Sequence, residues 1–274
     1  MVKIIAEIGI NHNGSIDLCK QMIMLAKISG CDYAKIQKRN PDVCVPEGQK
    51  LKSKSTPWGD MTYIEYKHKI EFNEEQIKEL IYFGKTIGIE LFASTWDKDS
   101  VDIMARHTNI CKLGSASIND LELCKYAREK FDFLIISTGM STEEEIEECI
   151  KVCNPDVIMH TNSTYPCPPE DLNLRYIEWL KTKYPTKEIG YSGHEFGLVT
   201  TFAAVSMGSE WVERHVTLDR TMWGSDQKSS IGPEGIFKMV RGIRAIELAT
   251  QYDPGPRKQF EGENAKRESL RKKL

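Results

Sequence analysis

Short apolar runs recur along the chain, each followed by a stretch in which apolar residues return every three or four positions. The runs fall at 2–7, 32–37, 88–94, 109–113, 133–138, 156–161, 188–192 and 210–215. They are rich in Ile, Val, Phe and Leu, as strands buried on both faces are. The helical patterns lie at about 16–29, 74–87, 98–106, 119–130, 142–153, 171–184, 196–207 and 233–251. Eight strands alternating with eight helices predict an α/β fold of the (β/α)₈ TIM-barrel type in a single domain. A doubly wound open sheet is the alternative. One connection, 38–73, is too long for a simple βα loop. A long loop after a barrel strand lies on the catalytic rim. Trp58, Tyr63 and Tyr66 predict that it forms an ordered flap over the site.

Composition narrows the partners. The formal charge is −3, which gives no electrostatic case for nucleic acid or an anionic membrane. No apolar stretch approaches membrane-spanning length, and the start of the chain is expected to carry no secretory leader. The barrel is expected over 1–252, and 253–274 as a basic solvated tail or terminal helix. The eight cysteines (19, 31, 44, 111, 124, 149, 153 and 167) form no C-x-x-C and are expected to be reduced core thiols in a cytoplasmic protein. Cys149 and Cys153 have ligand-like spacing, but no other ligand lies near in sequence, so core packing is expected.

In a barrel, polar residues at the C-terminal ends of strands do the chemistry. Here they are dense. Lys35 and Lys112 sit inside apolar strands, where a lysine needs an anion. With Ser115 and Ser137 they could enclose a small multiply charged anion; alternatively they snorkel to the rim or pair with Glu7. His194 and His215 end consecutive strands, and neighbouring strands are about 4.8 Å apart. Two imidazoles so placed could grip one divalent ion and leave positions open to substrate. The competing reading is one core and one rim histidine. His12 lies in a Gly-flanked turn within reach of a substrate, His160 is expected to be buried and satisfied, and His68 and His107 to lie on the surface.

The motifs together have a family likeness. Ala-Glu-Ile-Gly-Ile-Asn-His-Asn-Gly (6–14), Lys-Ile-Gln (35–37), Lys-Leu-Gly-Ser (112–115), Ser-Thr-Gly-Met (137–140), Tyr-Pro-Cys-Pro-Pro-Glu-Asp-Leu-Asn-Leu (165–174), Gly-Tyr-Ser-Gly-His (190–194), Arg-His-Val-Thr-Leu-Asp-Arg (214–220) and Gly-Ser-Asp-Gln (224–227) follow one another in order. In this the chain resembles the sialic acid synthase family over about residues 3–245. The resemblance implies a barrel that condenses phosphoenolpyruvate with an amino sugar aldehyde, releases phosphate and yields a sialic or other nonulosonic acid. It implies a divalent metal, manganese first and magnesium or zinc as alternatives, at His194 and His215. It assigns phosphoenolpyruvate to Lys35, Thr95, Lys112, Ser115, Ser137, Ser163 and Ser192. The sugar goes to Glu7, Gln37, Trp96, Tyr165 and Asp226. Glu7, Lys35, Lys112, His194 and His215 are the implied catalytic set. A homodimer is also implied.

Three departures stand out. Family members often carry Ser-Thr-Pro-Phe where this chain has Ser94-Thr-Trp-Asp97, so Trp96 is expected to replace an aromatic sugar contact. They often carry Asn two residues before Tyr165, where this chain has Ser163 with Asn162 beside it. Many carry a C-terminal antifreeze-like domain that covers the sugar, which is not expected here; the 38–73 flap is the expected substitute. The sugar is then N-acetylmannosamine, its 6-phosphate or a related sugar. A 3-deoxy-octulosonate or 3-deoxy-heptulosonate phosphate synthase, and a non-catalytic metabolite-binding barrel, are the alternatives.

Overall fold

The computed structural model describes residues 1–271. All eight expected strands are present: β1 Lys3–Gly9, β2 Tyr33–Lys38, β3 Glu90–Thr95, β4 Ile110–Leu113, β5 Phe133–Ser137, β6 Val157–Thr161, β7 Glu188–Gly193 and β8 Trp211–His215. Each pairs in parallel with its neighbours, and β8 closes on β1, from Lys3 opposite Trp211 to Glu7 opposite His215. That last ladder excludes an open sheet.

Eight helices cover the outside: α1 Ile16–Ser29, α2 Glu74–Ile87, α3 Lys98–Ala105, α4 Leu121–Lys130, α5 Glu143–Cys153, α6 Tyr176–Lys183, α7 Val199–Ser206 and α8 Pro233–Ala249. Side-chain caps mark several starts: Ser15 for α1, Asn73 for α2, Asp97 for α3 and Thr142 for α5. Two helices begin later than the periodicity predicts. The 171–184 pattern becomes a 3₁₀ turn at Pro169–Asp171, and α6 begins only beyond Asn173, which has φ +44°. The 196–207 pattern loses its first residues because Gly197 has φ +82°. A left-handed residue ends one run of helical hydrogen bonds before the next can begin.

Strand alternation sorts the side chains. Ile4, Ala6, Ala34, Ile36, Leu91, Leu134, Ile136 and Val212 face outward and join the helices in the main core. Ile5, Phe92, Ile135, Val157, Met159 and Trp211 face inward and fill the lower barrel. Burying each such side chain contributes about 1.5–3 kcal/mol. Helices α4 and α5 meet over a thiol cluster in which Cys149 Sγ lies 3.7 Å from both Cys124 and Cys153. All eight cysteines are free thiols.

The 38–73 segment is ordered, as expected. It holds short helices at Pro41–Cys44 and Glu47–Lys50, a hairpin of Ser53–Thr56 with Gly59–Thr62, and a helix at Tyr63–Ile70. Trp223, in the loop after β8, takes Trp58 and Tyr66 edge-on at 5.7 and 5.4 Å. The flap helix also rests on the turn after β1: a Cβ at Gly14 (φ +79°) would meet the Lys69 carbonyl at 2.5 Å. Residue 14 must therefore be glycine for the flap to seat. Near the other end of the chain, helix Glu261–Leu270 buries none of its residues. No helix among the described residues is long and apolar enough to cross a membrane.

Strand β8 also shows how a charge is stabilised on the outer face. Arg214 is fully buried there and donates to Glu195 Oε1 (2.9 Å), Gly197 O (2.9 Å) and Thr201 Oγ1 (2.6 Å). Arg214→Leu strands the buried Glu195 carboxylate. The expected loss is about 3–5 kcal/mol, read as a lower thermal unfolding midpoint; an unchanged midpoint would show that the pair contributes nothing.

Candidate active site

One polar residue from every strand faces the barrel axis, two positions beyond the inward apolar layer: Glu7, Lys35, Ser94, Lys112, Ser137, Thr161, Ser192 and Glu213. This ring floors a cavity of about 220 Å³. Two positions further on, Gln37, Trp96, Gly114, Ser163, His194 and His215 form its wall. Strand periodicity of two therefore builds the site from β1 to β8.

Four charges in the floor balance formally. Lys35 Nζ lies 2.7 Å from Glu7 Oε2 and 3.6 Å from Glu213 Oε1, and donates to Ser94 Oγ at 2.7 Å. Lys112 Nζ donates to the same Glu213 oxygen at 2.9 Å, which Ser192 Oγ also reaches at 3.2 Å. Burial is the largest influence on Lys35 and lowers its pKa, but Glu213 and Glu7 together overcome it and the pKa ends raised. Burial also dominates at Lys112, where Glu213 does not offset it and the pKa ends lowered. Glu213 is pushed up by burial and pulled down further by Lys112 and then Lys35, to about 2. Lys112 is thus the less well compensated cation and the one that gains most from an arriving anion.

Beside it is an oxygen-lined cradle. A Cβ at Gly139 would meet Ser163 Oγ at 2.3 Å and Ser115 Oγ at 2.7 Å, so a side chain here would push both hydroxyls out of their present positions. Ser137 Oγ is buried with no hydrogen-bond partner among the described residues. The same holds for Glu213 Oε2, Trp96 Nε1, His215 Nδ1 and Glu7 Oε2, whose contact with Lys35 is out of line for a hydrogen bond. Buried polar atoms are normally paired, and these all belong to residues lining one cavity.

The two histidines face each other, ring centroids 5.5 Å apart. His194 Nδ1 donates to the Asn162 carbonyl at 2.6 Å, which leaves Nε2 as the acceptor, 2.8 Å from the Tyr165 hydroxyl. Burial, and then the neighbouring His215, push the His194 pKa down to about 3, so the ring is neutral. His215 Nδ1 is 3.8 Å from Asp226 Oδ2. A neutral imidazole of fixed tautomer at His194, facing an orphaned ring nitrogen on His215, fits a divalent ion with positions left open to other ligands. Among the described residues no third His, Cys, Asp or Glu joins them.

Of the residues expected from sequence, Glu7, Lys35, Gln37, Trp96, Lys112, Ser115, Ser137, Ser163, Tyr165, Ser192, His194 and His215 all line this cavity. Asp226 stands just behind His215. Thr95 does not belong. It is fully buried on the outer face of β3, its hydroxyl 3.1 Å from Cys111 Sγ. Alternation puts Ser94 inward in its place. Glu213 was also missed, though stepping back two residues from His215 finds it. His12 stacks on Phe72 at 4.2 Å and accepts from the Gly14 amide, outside the cavity lining. His160 is buried, as expected, but only half satisfied: Nε2 meets the Leu172 carbonyl at 2.7 Å, while Nδ1 has no hydrogen-bond partner among the described residues.

The NeuB family model matches residues 22–253. The chain belongs to the NeuB family. It is 37% identical over 253 residues to the mouse N-acetylneuraminate-9-phosphate synthase, covering 90% of this chain and 70% of that protein. It is 32% identical to the Campylobacter jejuni N,N'-diacetyllegionaminic acid synthase, covering 90% of this chain and 76% of that one. A crystal structure of the N-acetylneuraminic acid (sialic acid) synthetase of Leptospira borgpetersenii, with citrate, superposes with TM-score 0.86 at 28% identity, covering 99% and 93% of the two chains. A truncated 3-deoxy-D-arabino-heptulosonate 7-phosphate synthase of Thermotoga maritima is 13% identical with TM-score 0.68 and shares the fold alone.

The buried imidazoles of this NeuB family barrel carry a pH signature. Burial, and then Arg39, lower the His12 pKa from 6.5 to about 3. Below about pH 6.5 the unfolded chain binds a proton there that the fold does not bind until about pH 3. Stability is therefore expected to fall as pH drops through that window. Melting scans from pH 7 down to about 4 test this, with His12→Asn expected to flatten part of the slope. A level midpoint in wild type would contradict it.

Proposed function

We propose that this barrel joins carbon 3 of phosphoenolpyruvate to the aldehyde of an N-acyl amino sugar and makes a nonulosonic acid of the sialic acid type. Water supplies the oxygen that ends on carbon 2, and the bond from carbon 2 to the phosphate oxygen breaks to release phosphate. The observation that carries this reading is the juxtaposition of Lys112 and the Gly139 cradle with two facing imidazoles in one cavity. An anion with two charged ends suits the first, and an oxygen ligand such as an aldehyde suits the second. The family relatives bear names of sialic, legionaminic and pseudaminic acid synthases. The heptulosonate alternative has only shared fold in its favour.

In this reading Ser115, Ser137, Ser163 and the open side of Gly139 receive the phosphate. Lys112 and Lys35 stabilise the charge that grows on the leaving group in a water-poor floor. Ser192 holds Glu213 in place. The free oxygens of Glu7 and Glu213 face the positive charge that develops at carbon 2, and either can take a proton from the attacking water. Gln37, Trp96, Tyr165 and Asp226 line the sugar side. His194 and His215 would hold a divalent ion, manganese first and magnesium or zinc as alternatives. When bound, that ion supplies Lewis acidity to the aldehyde oxygen. The free thiols suit a reducing compartment such as the cytoplasm, and a homodimer belongs to the same reading.

Two variants test the assignment. Gly139→Ala fills the cradle, so the KM for phosphoenolpyruvate is expected to rise about tenfold or more, the scale of one charged hydrogen bond, with the melting midpoint preserved. An unchanged KM would remove the cradle from the site. His215→Ala is expected to lose both bound metal, by elemental analysis, and synthase activity, while circular dichroism stays that of the barrel. Full activity of that variant in the presence of a chelator would sink the metal site.

A further inference from the structure

A second cavity, of about 490 Å³, lies under the flap and shares Trp96 and Ala116 with the first. Its wall brings together two buried cations, Arg39 and Lys67. Lys67 lies on the flap helix and is only 8% exposed. Its ammonium makes no hydrogen bond or ion pair among the described residues, and the rings of Tyr63 and Tyr66 stand 5.2 and 5.4 Å away. Ring faces soften a buried charge but do not neutralise it. An ammonium largely withdrawn from water without an anion is costly.

Arg39 adds an open edge. Its Nε contacts Glu71 Oε1 at 2.5 Å and its Nη2 donates to Gln37 Oε1 at 2.6 Å, while Nη1 has no partner among the described residues. The guanidinium lies 5.1 Å from the Trp96 ring, whose Nε1 is itself buried and unpartnered. Asp226 acts on Lys67 only as a nearby charge, without an ion pair, and the other acids are committed. Glu71 serves Arg39, and Asp120, in the cavity wall, caps α4 through the Leu123 amide at 3.0 Å. Burial, and then the charge of Arg39, lower the Lys67 pKa to about 8.

Three donors with no acceptor of their own thus line a cavity beside the sugar end of the catalytic one. Gln37 ties the two together, donating to Glu7 Oε1 at 3.2 Å and accepting from Arg39. We propose that this second cavity binds a phosphate monoester at the far end of the acceptor sugar, so that the enzyme acts on a sugar phosphate. Planar guanidinium and ammonium donors around one space match a phosphate dianion. The proposal rests on the synthase reading above and deepens it by naming the acceptor.

The test compares N-acetylmannosamine with its 6-phosphate at saturating phosphoenolpyruvate, following released phosphate. Wild type is expected to favour the 6-phosphate in kcat/KM by about a hundredfold, the scale of two charged hydrogen bonds. Lys67→Met is expected to cut that ratio about tenfold, and Lys67→Arg to retain most of it. A wild type that favours the free sugar, or a ratio unmoved in Lys67→Met, overturns the proposal. Calorimetric binding of the open-chain 2-acetamido-2-deoxymannitol 6-phosphate, which has no aldehyde, reads the cavity without turnover. Equal affinity in wild type and Lys67→Met overturns the phosphate site. Lys67-dependent binding with no turnover of either sugar supports the site and removes the synthase reading instead.

Discussion

The rim of this barrel depends on holding two ammonium groups and two carboxylates in a dry floor. Lys35, Lys112, Glu7 and Glu213 are each at most 3% exposed. None could remain charged there alone, since an uncompensated buried ion costs several kcal/mol. Interleaved, they hold one another ionised. Because Glu213 is shared between both lysines, the balance is uneven, and Lys112 keeps a residual demand for negative charge. A floor that is neutral in total yet locally short of an anion can stay folded when empty and still attract a ligand.

The geometry that makes this possible is simple alternation. On β8, Trp211 fills the lower barrel, Glu213 joins the floor and His215 the wall, while Arg214 between them points outward to Glu195. Adjacent residues thus serve separate tasks. The outer ion pair holds the β7–α7 connection against the strand, and the inner charges organise chemistry. The backbone separates them without any intervening layer.

The barrel was legible because every strand is a short apolar run and every helix a longer periodic one. Helix starts were less so, because the left-handed turns at Asn173 and Gly197 leave no hydrophobic signature. Most of the site was legible from polar residues at strand ends. The errors share a cause: Thr95 was assigned by likeness of motif, and alternation from Phe92 selects Ser94 instead. Glu213 has no signal of its own beside His215 at the strand end, although the same two-residue step reaches it. Arg39 and Lys67 had no signal at all. They lie in a segment without periodicity, and only the folded flap brings them together.

The flap meets the barrel at loops and rims: Trp223 after β8, the glycine turn after β1, and Asp97 after β3, which accepts from the Asn40 amide at 2.6 Å. Beyond Lys38 its residues take no part in the barrel's hydrogen-bonded wall. The part proposed to take the far end of the acceptor is therefore separable from the parts that form the bond. Such a molecule can acquire a new sugar preference by rewriting a surface insert, with the strand register and its buried charges left untouched.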